Sequence, residues 1–327
     1  MRWKGDIRVS NTPHENDFWK DIELSVKAGY FRYRWNTFGY NLVNESRFIL
    51  NKEDEEFISN LGNELVSNFI REIPANAEFY RARIISGEAL TVENEVTTRR
   101  IEGTNCPVHD IGRIRGYSDI KDVGVPPKNK AGINRASPRG IRYLYVADDI
   151  YTALAEVRPS ILEIINVVKF TNKNPIKIIW IPRTVSEAQD ICSSNGGSYN
   201  QYIYQISKTL SWAFSRPIRQ QEAESEYLPT QYLVSLFKMT HEEISGIAYP
   251  SFQSHSGMNF VFFYPDKLIP SDEPERIIRV QDITYTCCNL NDLTEIIAPR
   301  SSSYDSSLSE KNIQKMKADI LRNQTNS

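Results

Sequence analysis

A chain of 327 residues, 40% hydrophobic and 11% aromatic, has enough apolar surface to bury one sizeable core with room for an added subdomain. Its 39 Lys and Arg nearly balance 41 Asp and Glu, so no global field draws a polyanion, which argues against nucleic acid as a main partner. No apolar run approaches membrane-spanning length, and the opening Met1-Arg2-Trp3-Lys4-Gly5-Asp6 lacks the apolar stretch of a secretory signal, so neither a membrane nor export is expected and the chain reads as cytoplasmic.

The first 75 residues differ from the rest. Phe57, Ile58, Leu61, Leu65, Val66, Phe69 and Ile70 follow helical spacing, and the expectation is a helical N-terminal subdomain over residues 1–75, acting as a scaffold. Trp19 and Trp35 suit a small core as well as an interface. Phe79-Tyr80-Arg81-Ala82-Arg83 reads as a strand, which sends Arg81 and Arg83 to one face. Arg99-Arg100 and Arg113-x-Arg115 form a basic stretch expected to face solvent. Cys106-Pro-Val-His109 offers two metal ligands, but no second pair stands at a matching spacing, so no metal is expected. The other cysteines, Cys192, Cys287 and Cys288, are too irregularly spaced for a disulfide framework.

Pro138 and Gly140 punctuate a turn, and Tyr143 to Ala147 is a short β-rich apolar run. Asp148 and Asp149 are N-cap candidates for a helix from Tyr151 to Glu156 that Pro159 closes. Alternation places Tyr143 and Tyr145 on one face of the strand, and the tight connection keeps the carboxylate of Glu156 beside it, so one pocket wall can carry both. Ser193 to Ser198 is a loop. Phe214 to Pro217 precedes Tyr227-Leu228-Pro229-Thr230-Gln231-Tyr232, which leads into an apolar helix. Gly246 to Tyr249 is a strand entering a turn at Pro250-Ser251, which puts Ser251 at a strand end. Asn259 to Phe263 is an apolar run of the kind buried on both faces. His255 reads as a loop histidine without catalytic duty, and a Ser251–His255 hydrolase lacks a Gly-x-Ser-x-Gly elbow. Ser301 to Ser307 is a linker, and Glu310 to Ser327 a loosely held helix or a disordered end.

Several of these segments together resemble the RES family, named for its arginine, glutamate and serine. They are Phe79 to Arg83, Gly124-Val125-Pro126-Pro127, Asn134-Arg135-Ala136-Ser137-Pro138, Leu144-Tyr145 with Thr152-Ala153 and Glu156-Val157-Arg158-Pro159, Pro229 to Tyr232, and Gly246-Ile247 with Tyr249-Pro250-Ser251 and Gly257-Met258-Asn259. Asn134 and Ser137 depart from the glycine and asparagine usual at those positions, and asparagine keeps the turn accessible because it tolerates positive φ. The resemblance implies an α/β (α+β) fold with an ADP-ribosyltransferase-like mixed β-sheet core and flanking helices. The implied organisation is residues 1–75 as the helical subdomain, 76–285 as the catalytic domain and 286–327 as a linker and tail.

The same resemblance implies NAD as substrate. Arg81 and Arg135 would lie toward the diphosphate, Glu156 toward the ribose, Tyr145 against the nicotinamide or its ribose, and Ser251 as a hydrogen-bonding orienter. These types suit the chemistry: a guanidinium grips phosphate oxygens bidentately, and a carboxylate stabilises an oxocarbenium-like transition state. The expected function is cleavage of the nicotinamide–ribose bond, as a glycohydrolase or phosphorylase acting as a growth-inhibiting toxin or defence effector. The alternatives are a protein ADP-ribosyltransferase and, from another class, a non-catalytic nucleotide-sensing or partner-binding module. A separately encoded antitoxin or immunity protein is the partner the family suggests.

Overall fold

The computed structural model describes residues 13–85, 91–92, 97–100, 107–110, 114–115, 117, 120–219, 221–271 and 276–283; at 13–25, 91–92, 97–100, 107–110, 114–115 and 120–121 only the backbone is described. Cys106, Arg113, Cys287, Cys288, the Ser301–Ser307 segment and the end from Glu310 lie outside the described residues, and Trp19 outside the described side chains. The chain divides into two units, Met1–Asp282 and Ile283–Ser327, and every element below belongs to the first.

In chain order the elements are α1 (Pro13–Asn44), α2 (Lys52–Asn68), β1 (Ile70–Ile73), β2 (Glu78–Ile84), β3 (Thr91–Val92), β4 (Thr97–Arg100), β5 (Pro107–Asp110), β6 (Ile114–Arg115), α3 (Ile120–Val123), β7 (Leu144–Ala147) and α4 (Ile150–Val157). There follow β8 (Ile164–Asn172), β9 (Ile176–Trp180), α5 (Val185–Ser194), α6 (Gln201–Ser215), α7 (Ala223–Glu226), α8 (Leu228–Thr240), β10 (Ile244–Pro250), β11 (Met258–Phe262), β12 (Leu268–Pro270) and β13 (Arg276–Arg279). This is a mixed α/β fold in which helices flank a sheet ordered β1-β9-β10-β11-β7-β2-β8-β12, with β13 also on β8. The β9–β10 pair is parallel and the others antiparallel.

Every residue of β10 and β11 is buried, as the unbroken apolar run from Asn259 requires: a strand covered on both faces has no polar side to alternate with. At Gly246 an added Cβ would stand 2.5 Å from the Val261 carbonyl oxygen, so glycine permits the close pairing of these two strands. Phe79 of β2 packs edge-on against Phe260 and Phe262, with centroids 5.0 and 5.1 Å apart. The sheet opens between β7 and β2, which share one residue pair, Tyr80 with Ala147. Beyond it β2 runs with β8 alone, and α4 lies against β2.

The two N-terminal helices share the core of the sheet unit. Phe31, Trp35, Phe38 and Leu42, one stripe of α1, are all buried and belong to the same cluster as Ile58, Leu61 and Leu65 of α2 and the strand residues Phe79 and Phe260. Phe31 meets Tyr202 of α6 edge-on, and Phe38 meets Tyr232 of α8 in the same way. The helical spacing expected through Ile70 stops earlier. Asn68 turns its amide back onto the Glu64 carbonyl, Phe69 is the C-cap, and Ile70 pairs with Ile179 as the first residue of β1. The sheet edge of β9 offered Ile70 a ladder that helical periodicity alone does not reveal. The loop expected at Ser193 likewise begins two residues later, because Ser193 and Ser194 complete α5.

A buried ion pair ties α1 to α2. Arg34 Nη2 donates to Asp54 Oδ1 at 3.0 Å, and both side chains are almost wholly enclosed. Asp54 Oδ2 accepts from the amides of Asn41 and Asn51 at 2.7 and 2.8 Å, and Asn51 caps α2 through the Asp54 N–H. Removing one partner of such a pair strands the other charge in the core. Asp54→Ala is expected to lower unfolding stability by about 3–5 kcal/mol, measured by denaturant titration.

Candidate active site

Glu156 rides on the last turn of α4. The helix begins where expected: the Asp149 side chain accepts from the Thr152 N–H at 2.9 Å and from the Thr152 hydroxyl, while Asp148 stands outside the cap. It ends at Arg158, held in the left-handed region at φ 47°, a conformation non-glycine residues adopt sparingly and often at functional sites. Gly257, from the loop after β10, seats against Thr152 so closely that an added Cβ would overlap the threonine side chain. That contact brings the loop to the helix.

The carboxylate of Glu156 is met from two directions. Its Oε1 accepts from the Ser251 hydroxyl at 2.6 Å and from the Asn259 side-chain amide at 2.7 Å. The Ser251 oxygen in turn accepts from the N–H groups of Gln253 and Ser254, each at 3.1 Å. A serine hydroxyl has one proton and two lone pairs, so all its hydrogen-bonding capacity is engaged. The Ser251 proton is thus committed to the Glu156 carboxylate. His255 is exposed in the same loop.

Arg135 approaches from the turn before β7. That turn is closed by Asn134 N–H to the Ser137 carbonyl at 2.9 Å and the reciprocal bond at 3.2 Å. Asn134 does not use positive φ; the turn keeps its shape because α8 clamps it. Thr230 Oγ1 donates to the Arg135 carbonyl at 2.6 Å, and Gln231 Nε2 donates to the carbonyls of Asn134 and Ser137 at 2.8 and 3.2 Å. The Arg135 guanidinium lies 5.3 Å from the Tyr227 ring centroid and reaches the Ser215 carbonyl at 3.4 Å. Its Nη1 is buried and has no hydrogen-bond partner among the described residues.

Tyr145 supports this turn, sharing a 2.8 Å hydrogen bond with the Ser137 hydroxyl. Burial pushes its phenol well above the ordinary range, opposed by the bonds to Ser137 and the Ala136 backbone. Tyr249 beside it is pushed up the same way, first by burial and then by Tyr145, with Arg135 pulling down and Glu156 adding to the rise. Both phenols therefore stay protonated at any working pH.

An open cavity with about 190 Å³ of empty space is lined by Arg135, Glu156, Arg158, Tyr249, Phe252 and Asn259, among others. Tyr145 and Arg81 are not among its lining residues. Arg81 pairs with Val168 and shares the strand face of Phe79, whereas Tyr80, joined through Ala147 to Asn259, has the other face. Burial, helped by neighbouring Arg83, lowers the Arg81 guanidinium to about 10, and its Nη1 is also buried without a partner. Arg83 is exposed, stacks over Tyr117 at 4.2 Å and donates to the Asp122 carbonyl. Among the described residues no group of three or more His, Cys, Asp or Glu is placed to hold a metal.

Sequence reasoning thus named Glu156, Ser251 and Arg135, which the fold brings to one place. It passed over Asn259, Thr230 and Gln231 as actors, although each stood inside a quoted segment. Polar residues at the head of an otherwise apolar run or helix were the available signal.

The fold and the cavity define a mixed α/β protein with an oriented carboxylate and a half-buried guanidinium that has no ion pair among the described residues, in one polar depression. A family model described as the RES domain matches residues 111–285, more than half of the chain, and the chain belongs to that family. Membership supports a general NAD-related enzymatic role. Neither the comparison with curated proteins nor that with solved structures found a match.

Asp148 supplies a pH test of the strand end that carries the site. The residue as a whole is exposed, but its Oδ1 is tucked against β11, where it accepts from the Met258 N–H at 2.9 Å. Burial first, with Asp149 adding, pushes it up to about 6 from 3.8. A raised carboxyl pKa means the folded state holds the proton more tightly. Its stabilising contribution is full below about pH 4 and lost as pH rises through about 6. Asp148→Asn keeps the acceptor and removes the charge, so it is expected to raise Tm at pH 8 and to match the wild type at pH 4, read by thermal denaturation across that range.

Proposed function

We propose that this chain binds NAD and breaks the bond between nicotinamide and ribose, passing the ADP-ribosyl group to water or phosphate. The observation that carries the reading is the pairing of an oriented carboxylate, Glu156, with a half-buried guanidinium, Arg135, whose Nη1 is buried without a hydrogen-bond partner and which has no ion pair among the described residues. A buried cation without a partner is costly, and a phosphate oxygen of the ligand relieves that cost with charge-assisted bonds.

In this reading the cavity takes the nicotinamide riboside end, and the rest of the dinucleotide runs across Arg135 toward the rim, where Arg158 stands. The aromatic walls Tyr249, Phe214 and Phe252 give the ring an apolar surface. As the C–N bond breaks, its electron pair leaves with neutral nicotinamide and positive charge grows on the ribose. Glu156, whose Oε1 is fixed by Ser251 and Asn259 and whose Oε2 makes no bond among the described residues, stabilises that charge without having to reorganise. Tyr145 acts at one remove by holding the turn that presents Arg135. The sheet opened between β7 and β2 serves as an ADP-ribosyltransferase-like core. Loss of NAD makes the protein a growth-inhibiting toxin or defence effector, which a separately encoded partner would restrain.

Glu156→Gln keeps the shape and removes the charge, so NAD turnover by the purified variant is expected to fall on the order of 10²–10³-fold, a loss comparable to that of one preorganised electrostatic group, with folding intact by circular dichroism. Equal turnover in the two proteins would sink the assignment. Product identification separates the acceptors: ADP-ribose for water, ADP-ribose 1″-phosphate for phosphate, a labelled protein for a side chain. Arg135→Ala is expected to weaken NAD binding by about 1.5–3 kcal/mol, the value of a hydrogen bond to a charged group, in calorimetry; unchanged affinity would move the phosphate role to Arg81.

A further inference from the structure

Arg183 takes no part in the chemistry just described and does not line the cavity, yet its side chain holds the loop that carries Ser251. It stands between β9 and α5, where Thr184 is the N-cap. The Glu187 carboxylate fixes the backbone there, accepting from the Arg183 N–H at 2.7 Å and from the Trp180 indole N–H at 2.6 Å. From this anchored position the half-buried guanidinium crosses to the loop after β10. Its Nη2 donates to the Gly257 carbonyl, and both Nη1 and Nη2 reach the Ser251 carbonyl at 3.5 Å.

Ser251 and Gly257 are the two ends of that loop, and they are bonded to each other by the Ser251 N–H and the Gly257 carbonyl at 2.9 Å. The guanidinium therefore pinches the loop at its neck. Inside the loop the amides of Gln253 and Ser254 point at the Ser251 oxygen, which donates to Glu156. Opening the neck releases those amides, frees the hydroxyl to rotate and removes one of the two bonds that fix Oε1. The side chain has no ion pair among the described residues; its bonds go to carbonyl oxygens. The flat fork of an arginine spans two acceptors in a way that the point charge of lysine does not.

We propose that Arg183 is a positioning residue, which sets the Ser251 loop and through it the orientation of the Glu156 carboxylate. Its catalytic consequence rests on the NAD-cleaving reading; its structural consequence does not. The experiment follows amide exchange by mass spectrometry over residues 251–257 and, in parallel, kcat and KM for NAD in the wild type, Arg183→Met, Ser251→Ala and the double variant. The expected result is exchange at Gln253 and Ser254 faster by about tenfold or more, and kcat lower by about tenfold with little change in KM, the effect of losing one charge-assisted bond. The double variant should be no slower than the slower single one, since both act through the same hydroxyl.

Unchanged exchange overturns the proposal. So does a double variant whose losses multiply, or a rise in KM at constant kcat, which would make Arg183 a ligand contact. A wild-type chain that leaves NAD intact defeats the NAD reading alone, and the exchange arm then decides whether Arg183 sets the loop. If Arg183→Met does not fold, Arg183→Lys replaces it. That variant keeps the charge, reaches one carbonyl, and is expected to show intermediate exchange and intermediate kcat; wild-type values in both would overturn the proposal.

Discussion

The two hydrogen bonds on Glu156 Oε1 organise everything around them. One comes from Ser251, at the end of β10, and the other from Asn259, near the start of β11. α4 is therefore tied by its last turn to the neighbouring pair of strands in the middle of the sheet. The sheet opens beside that same helix, where β2 leaves β7 after a single pair. A gap at the centre of a sheet would leave backbone groups unpaired, and a helix laid against β2 is how this chain covers it. The carboxylate is oriented by two donors that are themselves fixed: the serine by two loop amides, the asparagine by a fully buried strand.

Around that centre the molecule places charge asymmetrically. The carboxylate is well provided with donors, but the half-buried Arg135 is held by its carbonyl and its flanking turn and, among the described residues, not by any acid. The contrast with Arg34 is instructive, because that guanidinium is more fully enclosed and is paired with Asp54 at 3.0 Å. Arg34 is thereby built into the scaffold that joins α1 to α2. The N-terminal helices belong to this economy, since α1 and α2 share a core with α6 and α8, and α8 supplies the Thr230 and Gln231 that shape the Arg135 turn.

Local structure around the site was largely legible beforehand. Asp149 before a short apolar helix closed by Pro159 marked α4 and its cap, and the unbroken run from Asn259 marked a strand covered on both faces. Where reading failed, competition at a boundary was the cause. Phe69 and Ile70 continue the helical apolar spacing of α2, yet Ile70 joins β1, because a free edge on β9 outbids one more helical bond. Asn134 was expected to tolerate positive φ, but two residues of a helix almost a hundred positions away fix the turn without it.

The sequence by itself determined the family and placed the candidate residues on their local elements, because residue type and short-range order carry that information: a glutamate on a capped helix, a serine after a strand, an arginine in a turn. Only the tertiary structure decided how they act. It showed that Ser251 has no free hydrogen-bonding capacity, that Tyr145 braces a turn instead of lining the cavity, and that Arg183 donates to the Ser251 and Gly257 carbonyls at the neck of the serine loop. The contacts that join the Glu156, Ser251, Arg183 and Arg135 segments are between groups 68 to 97 positions apart. No local pattern encodes such bonds, since a hydrogen bond is specified by the meeting of two surfaces and each segment carries only its own half.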